Sequence, residues 1–265
     1  MMILAQISDL HILEPGKKLS GMIDTAACLS KAVLCIGRLN PQPDALLITG
    51  DLVNVGSIEE YEHLRTLLSP LKMPIYLIPG NHDNRDMLRK VFPKLSYLPT
   101  TGALHYTIET LPVRIIALDT TVPGKGSGAL DDAALAWLAT RLNEAPKKPT
   151  LIMMHHPPFA TGIEFMDVMG LNDGVDEFAR LITSHSNVER ILCGHVHRAV
   201  EARVGNAVAM ICPATCHQIP LALSTEDREG FTLEPPGFRL HLWNGKQLIS
   251  HSATIGDFPG PYRFA

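Results

Sequence analysis

A chain of 265 residues with 46% hydrophobic content can bury a sizeable core, and its formal net charge of −4 excludes the broad basic field that grips extended nucleic acid. Met1 to Ile7 runs too soon into Ser8 and Asp9 to be the apolar part of a signal peptide, and no stretch approaches the roughly 18 apolar residues of a membrane span. Cys28, Cys35, Cys193, Cys212 and Cys216 form neither a CxxC pair nor a disulfide framework and read as buried free thiols, so the expectation is a cytoplasmic protein with no membrane partner.

Short apolar runs rich in β-branched residues alternate with amphipathic stretches along the chain. A strand at Ile3–Ile7 precedes a helix over Thr25–Arg38, where Cys28 and Cys35, seven apart, suit one buried face. Strand Ala45–Thr49, helix Ile58–Leu68, strand Pro74–Ile78 and helix Arg85–Val91 follow, with Asp83 expected to cap that last helix. After strand Val113–Leu118 comes helix Asp131–Asn143, whose Asp131 and Asp132 meet the positive end of the helix dipole and whose Leu135, Leu138 and Leu142 mark the buried stripe. Strand Leu151–Met154, helix Val175–Ser184 and strand Arg190–Cys193 complete the alternation. Two hairpins are then expected: Ala199–Val204 with Val208–Cys212 around Gly205-Asn206, and Phe238–Trp243 with Gln247–His251 around Asn244-Gly245. Between them Ile219–Pro236 commits to no periodicity and reads as a loop or cap.

The polar residues decide the function. Five apolar runs each end abruptly in residues able to bind metal: Asp9 and His11, Asp51 after Gly50, Asn81-His82-Asp83 after Gly80, His155-His156, and His195 and His197 after Gly194. In an open α/β sheet, ligands gather beyond the carboxyl ends of the strands, so these clusters should meet on one rim. Asp-x-His and His-x-His on extended chain place alternate side chains on the same face, and the glycines permit tight turns. Imidazole, carboxylate and one amide, with no cysteine, suit Fe, Mn, Zn or Co better than a thiolate site or an all-oxygen magnesium site.

The five blocks, in this order, resemble the calcineurin-like binuclear metallophosphoesterases. More narrowly, Ile7 to His11, Gly50 to Asn54, Tyr76 to Asp83 and Thr215-Cys216-His217-Gln218 are similar to segments of bacterial class III cyclic nucleotide phosphodiesterases and glycerophosphodiesterases. The resemblance implies a four-layer αββα metallophosphoesterase sandwich of the α/β class, one catalytic domain over 1–265, with a small C-terminal cap or dimerisation insertion at 213–236. It implies two divalent metal ions, one on Asp9, His11 and His197, the other on Asn81, His155 and His195, bridged by Asp51. It implies His82 as general acid, and Asn54, His82 and His217 on the substrate side. The expected partner is a small phosphodiester, with assembly into a homo-oligomer, a dimer or higher.

Each residue also has a plainer reading. Asp9 and Asp51 could close turns after strands, and Asn81 could supply a left-handed turn. Of His155 and His156, alternation lets one face the metals, and the family pattern favours His155. His63, His105, His185, His241 and His251 stand outside any cluster, and Asp119 at a strand end suits a structural hydrogen bond. Two rival functions remain: a phosphomonoesterase or pyrophosphohydrolase, for which Arg85 and Arg198 are the nearest cations, and a non-catalytic metal-stabilised binding module. A purely structural site would be closed and need neither His82 nor His217.

Overall fold

The computed structural model describes residues 1–224 and 229–264. In chain order the elements are β1 (Met2–Ile7), α1 (Thr25–Gly37), β2 (Ala45–Thr49), α2 (Ile58–Leu68), β3 (Ile75–Ile78), α3 (Arg85–Val91), β4 (Tyr106–Ile108), β5 (Arg114–Leu118), β6 (Gly128–Ala129), α4 (Asp132–Glu144), β7 (Thr150–Met154), α5 (Glu164–Asp167), β8 (Leu171–Asp173), α6 (Val175–Ser184), β9 (Val188–Cys193), β10 (Glu201–Val204), β11 (Ala207–Ile211), β12 (Gly237–Trp243) and β13 (Leu248–Thr254).

They build a five-stranded sheet, β13-β12-β1-β2-β3, and a six-stranded sheet, β10-β11-β9-β7-β5-β4. Within each, the central strands run parallel and the outer hairpin strands antiparallel. Strand alternation sorts the apolar side chains into three layers of contact. Leu4, Leu47, Ile115, Ala117, Leu151 and Met153 meet between the two sheets. From the opposite faces, Ile7 and Ile48 turn to Leu29, Ile36, Leu64 and Leu88 of the first three helices, while Ile116, Ile152 and Ile191 turn to Leu138, Leu142, Phe178 and Ile182 of α4 and α6. Helix, sheet, sheet and helix thus stack in four layers, as expected of this α/β class.

Local chemistry sets the helix starts. Ser57 and Glu60 form a reciprocal capping box at α2, and Asp131 caps α4 by accepting from Ala134 N at 2.8 Å. At α3 the cap is Asn84, which accepts from Asp86 N and Met87 N. The expectation of Asp83 there is wrong because its carboxylate is engaged elsewhere. Cys28 and Cys35 lie half-buried at the edge of α1 rather than on its buried face, which consists of Leu29, Ala32, Val33 and Ile36. The two C-terminal hairpins part company: β10 and β11 extend the six-stranded sheet, β11 parallel to β9, whereas β12 and β13 extend the other. The short β4, β6, β8 and α5 escape the sequence patterns, being too brief for a period to register.

Residues 213–236 leave β11 and return to β12, pinned where Gln218 and Thr232 exchange backbone hydrogen bonds of 3.0 and 2.8 Å. Residues 225–228 of the expected cap lie outside the described residues.

His241 on β12 is fully buried; Nε2 donates to Gln6 Oε1 at 3.1 Å and Nδ1 accepts from the Ser250 hydroxyl at 2.9 Å. Burial, and then the charges of Arg239 and Arg190, press its pKa down to about 3 from an ordinary 6.5. The folded state therefore binds the proton less well than the unfolded chain, so this contribution to stability is complete above pH 6.5 and drains away as the pH falls toward 3. Urea midpoints at pH 6.5 and 5 should show His241→Gln losing less stability on acidification than the parent, by about 1.4 kcal/mol per pH unit. Equal losses in both proteins would refute the assignment.

Candidate metal centre

The parallel strands β1, β2 and β3 of one sheet and β7 and β9 of the other bring their carboxyl ends to a common rim. Asp9 and His11, Asp51, Asn81, His155, and His195 and His197 follow those ends. Six non-glycine residues have positive φ among those described, and five belong to this set: Asp9 (55°), His11 (44°), Asp51 (46°), His195 (73°) and His197 (58°). The paired residues are therefore aimed by left-handed turns beyond the strands, not by alternation along extended chain. Each such conformation costs on the order of 1–3 kcal/mol and persists only where its surroundings over-determine it. Here Asp9 N donates to Gly50 O at 3.1 Å, and Leu10 N and His11 N both donate to Asp51 O at 2.8 and 3.0 Å.

The glycines act chiefly by leaving room. A Cβ on Gly80 would strike Asp51 Oδ1 and the His155 ring, and one on Gly194 would strike Ser8 Oγ. Of Gly50, Gly80 and Gly194, Gly50 alone has the positive φ of a tight turn, at 94°.

The donor atoms fall into two groups joined by one carboxylate. On one side His11 Nε2 lies 3.1 Å from His197 Nε2 and 3.5 Å from Asp51 Oδ2, with His197 Nε2 3.6 Å from Asp9 Oδ1. On the other, Asn81 Oδ1 lies 3.1 Å from both His155 Nε2 and His195 Nδ1, and His155 Nε2 is 3.4 Å from Asp51 Oδ1. Asp51 thus turns one oxygen to each group. Backbone amides steady the carboxylates: His195 N donates to Asp9 Oδ1 at 2.9 Å and His82 N to Asp51 Oδ1 at 3.0 Å.

Hydrogen bonds on the far ring nitrogens reveal what the near ones offer. His155 Nδ1 faces Thr49 O at 2.8 Å and His197 Nδ1 faces His217 O at 3.3 Å. A carbonyl can only accept, so both Nδ1 atoms carry the proton and both Nε2 atoms offer lone pairs. These lone pairs then face carboxylate and amide oxygens, an arrangement that repels itself unless positive charge lies between. The electrostatics of the buried site agree. Burial pushes the His155 imidazole down, yet Asp51 and Asp9 carry it up to about 9, making a proton there the substitute cation. Burial, followed by the nearby imidazoles, holds His11 and His195 to about 3, so they stay neutral. Nitrogen and oxygen donors in this geometry fit divalent ions of the borderline class.

His156 belongs to a cluster with His155 and His195 whose candidate ligand atoms lie within 4.8 Å of one another. Both its nitrogens are nevertheless occupied, Nδ1 by the Thr120 hydroxyl at 2.8 Å and Nε2 by Gly126 O at 3.1 Å. His82 is exposed beside the centre, its ring 4.7 Å from that of His11, and its Nδ1 donates to the backbone carbonyl of Asn54 at 2.7 Å. His217 packs 4.6 Å from His197 and edge-on to Phe231 at 5.6 Å. Arg85 is committed to both oxygens of Asp119, and Arg198 to Glu234 and Ile219 O. Asp119 therefore has the structural role expected of it.

Sequence reasoning missed what Asp83 does. Its Oδ2 accepts from Gly80 N at 2.8 Å and Leu52 N at 3.0 Å, and its Oδ1 from the Tyr61 hydroxyl at 2.9 Å, so it staples the Asn81 loop to the Asp51 loop. Tyr61 OH in turn accepts from Asn84 N at 2.8 Å. Tyr61→Phe should leave a half-buried carboxylate and an amide short of partners, lowering stability by about 1–3 kcal/mol and metal affinity by roughly 10–100-fold. Urea unfolding and metal titration check both, and unchanged affinity would show that the staple does not support the centre.

The model of the calcineurin-like phosphoesterases matches residues 2–199, and the chain belongs to that family of phosphoester hydrolases, whose members are built around a dinuclear metal centre. Among its relatives, a probable glycerophosphodiester phosphodiesterase, GpdQ, of Arcobacter nitrofigilis is 38% identical over 264 residues, covering 99% of this chain and 97% of the relative. The 3′,5′-cyclic adenosine monophosphate phosphodiesterase CpdA of Pseudomonas aeruginosa is 32% identical over 261 residues, covering 96% and 90%. A dimetal phosphatase from Danio rerio shares the fold with a TM-score of 0.69 at 14% identity, covering 96% of this chain and 98% of that one. Among the described residues no helix is long and apolar enough to cross a membrane.

Proposed function

We propose that this chain hydrolyses small phosphodiesters, glycerophosphodiesters or 3′,5′-cyclic nucleotides, at a two-metal centre. The observation that carries the proposal is the pair of donor groups sharing Asp51, with an exposed histidine beside them. In this reading Asp9, His11 and His197 hold one ion, Asn81, His155 and His195 the other, and Asp51 both. His156 is left out because both its nitrogens are bonded. Two divalent ions there supply Lewis acidity toward phosphoryl oxygens and lower the pKa of water. Fe, Mn, Zn and Co all suit the donor set.

The protein's own contributions are positioning and proton transfer. His82 holds its Nδ1 proton against Asn54 O, so Nε2 is the atom that protonates the departing alkoxide when the ring is cationic. Asn54 and His217 contact the substrate. A diester carries one negative charge where a monoester carries two, and Arg85 and Arg198, the cations that would meet the extra charge, are bound to Asp119 and Glu234. The names of the relatives favour diesters as well.

The same reading takes 213–236 as a cap and contact between copies in a homo-oligomer, for which the exposed Leu221, Leu223 and Leu233 supply apolar surface. Cytoplasmic residence fits five free cysteines. The test is hydrolysis of bis(p-nitrophenyl) phosphate against p-nitrophenyl phosphate by protein reconstituted with each metal separately. Diester preference is expected, and strong monoester preference would overturn the proposal.

A further inference from the structure

The site histidines differ in what their Nδ1 atoms meet. His82, His155 and His197 each present Nδ1 to a backbone carbonyl, at 2.7, 2.8 and 3.3 Å. In its neutral form each of these rings therefore offers a lone pair at Nε2. His217 departs from that pattern, because its Nδ1 meets the Cys216 sulfur at 3.0 Å. A thiol has a proton to give, and an imidazole nitrogen accepts more strongly than sulfur does.

We infer that Cys216 is a positioning residue for His217, its S–H donating to Nδ1 and so keeping the ring proton on Nε2 as a standing donor toward a phosphoryl oxygen. The inference rests on the reading of this rim as a phosphodiester site. The Nε2 lone pairs of His155 and His197 then serve the cations and the N–H of His217 serves the anion, although an imidazole supplies both. The ring is confined between His197, 4.6 Å away, and Phe231, 5.6 Å away, so fixing its tautomer also fixes which atom it turns to the rim.

Other roles for this cysteine fit less well. Cys216 is 5% exposed, and burial followed by the neighbouring Cys28 raises its thiol to about 12, far from the thiolate that a nucleophile or redox sensor needs. The protonated thiol is the form able to donate.

Nitrogen-15 NMR of the imidazoles in the zinc-loaded full chain reads the tautomer directly. The His217 ring is expected to carry its proton on Nε2 with Nδ1 bare, and a protonated Nδ1 would overturn the inference. Cys216→Ala should raise KM for bis(p-nitrophenyl) phosphate roughly three- to tenfold with kcat little changed. Cys216→Ser, which keeps a donor, should recover most of that loss. In a His217→Ala background, Cys216→Ala should have no further effect, and effects that multiply would show that the thiol does not act through His217. If His217→Ala alone leaves KM unchanged, the substrate contact is what fails, and the NMR result still decides the tautomer.

Discussion

Asp51→Ala is expected to cost this protein its ability to hold two ions together and to reduce diester turnover on the order of a thousandfold. Its carboxylate turns one oxygen to each donor group: Oδ2 lies 3.5 Å from His11 and Oδ1 3.4 Å from His155. Alanine would also release the His82 amide, which donates to Oδ1 at 3.0 Å, and with it the loop that carries Asn81. The remaining ligands would have to hold two like charges close together without the carboxylate that screens them. Metal content per chain, measured by elemental analysis after dialysis, should fall to one ion or fewer. Asp119→Asn is the control, since its partners are Arg85, Leu104 N and Thr121, and it should lower the melting temperature while leaving the metal content intact. Two tightly held ions in Asp51→Ala would sink the shared-ligand assignment.

His82→Ala should separate proton transfer from metal binding. The ring sits outside both donor groups, with its Nδ1 proton on Asn54 O, so the variant is expected to load metal like the parent. Diesters with alkyl leaving groups, such as glycerophosphodiesters, should lose roughly a hundred- to ten-thousandfold in kcat, the usual worth of a placed general acid. Bis(p-nitrophenyl) phosphate should lose far less, because an acidic phenol departs without a proton. The diagnostic quantity is thus the ratio of the two losses. Equal losses for both substrates would assign His82 to positioning, and no loss for either would remove it from the reaction.

The layers and much of the centre were legible because their signals are local. Ile58–Leu68, Arg85–Val91 and Val175–Ser184 are helices at the residues their periodicity indicates, and Ala45–Thr49 is a strand over the whole expected run. Alternation along β2, β5 and β7 sorts side chains between the inter-sheet core and the helix-covered faces, as a period of two requires. Asp83 reads as a cap in the sequence for the opposite reason, whereas Asn84 caps α3. A carboxylate next to a helix start is a common local pattern, but Leu52, 31 positions away, and Tyr61, 22 away, claim this one, and no window around residue 83 contains them.

By itself the sequence determined which residue types stand at the strand ends, and strand direction then dictated that Asp9, His11, Asp51, Asn81, His155, His195 and His197 share a rim. Tertiary structure alone decided how they are used. It separated His155 from His156 through Thr49 on one side and Thr120 and Gly126 on the other, aimed five of the residues by left-handed turns, and divided the oxygens of Asp51 between two groups. The physical reason is that ligand type is a property of one side chain. Its tautomer, orientation and sharing depend on hydrogen bonds to partners on other segments, such as Thr49 for His155 and Thr120 for His156, which the folded chain brings within reach.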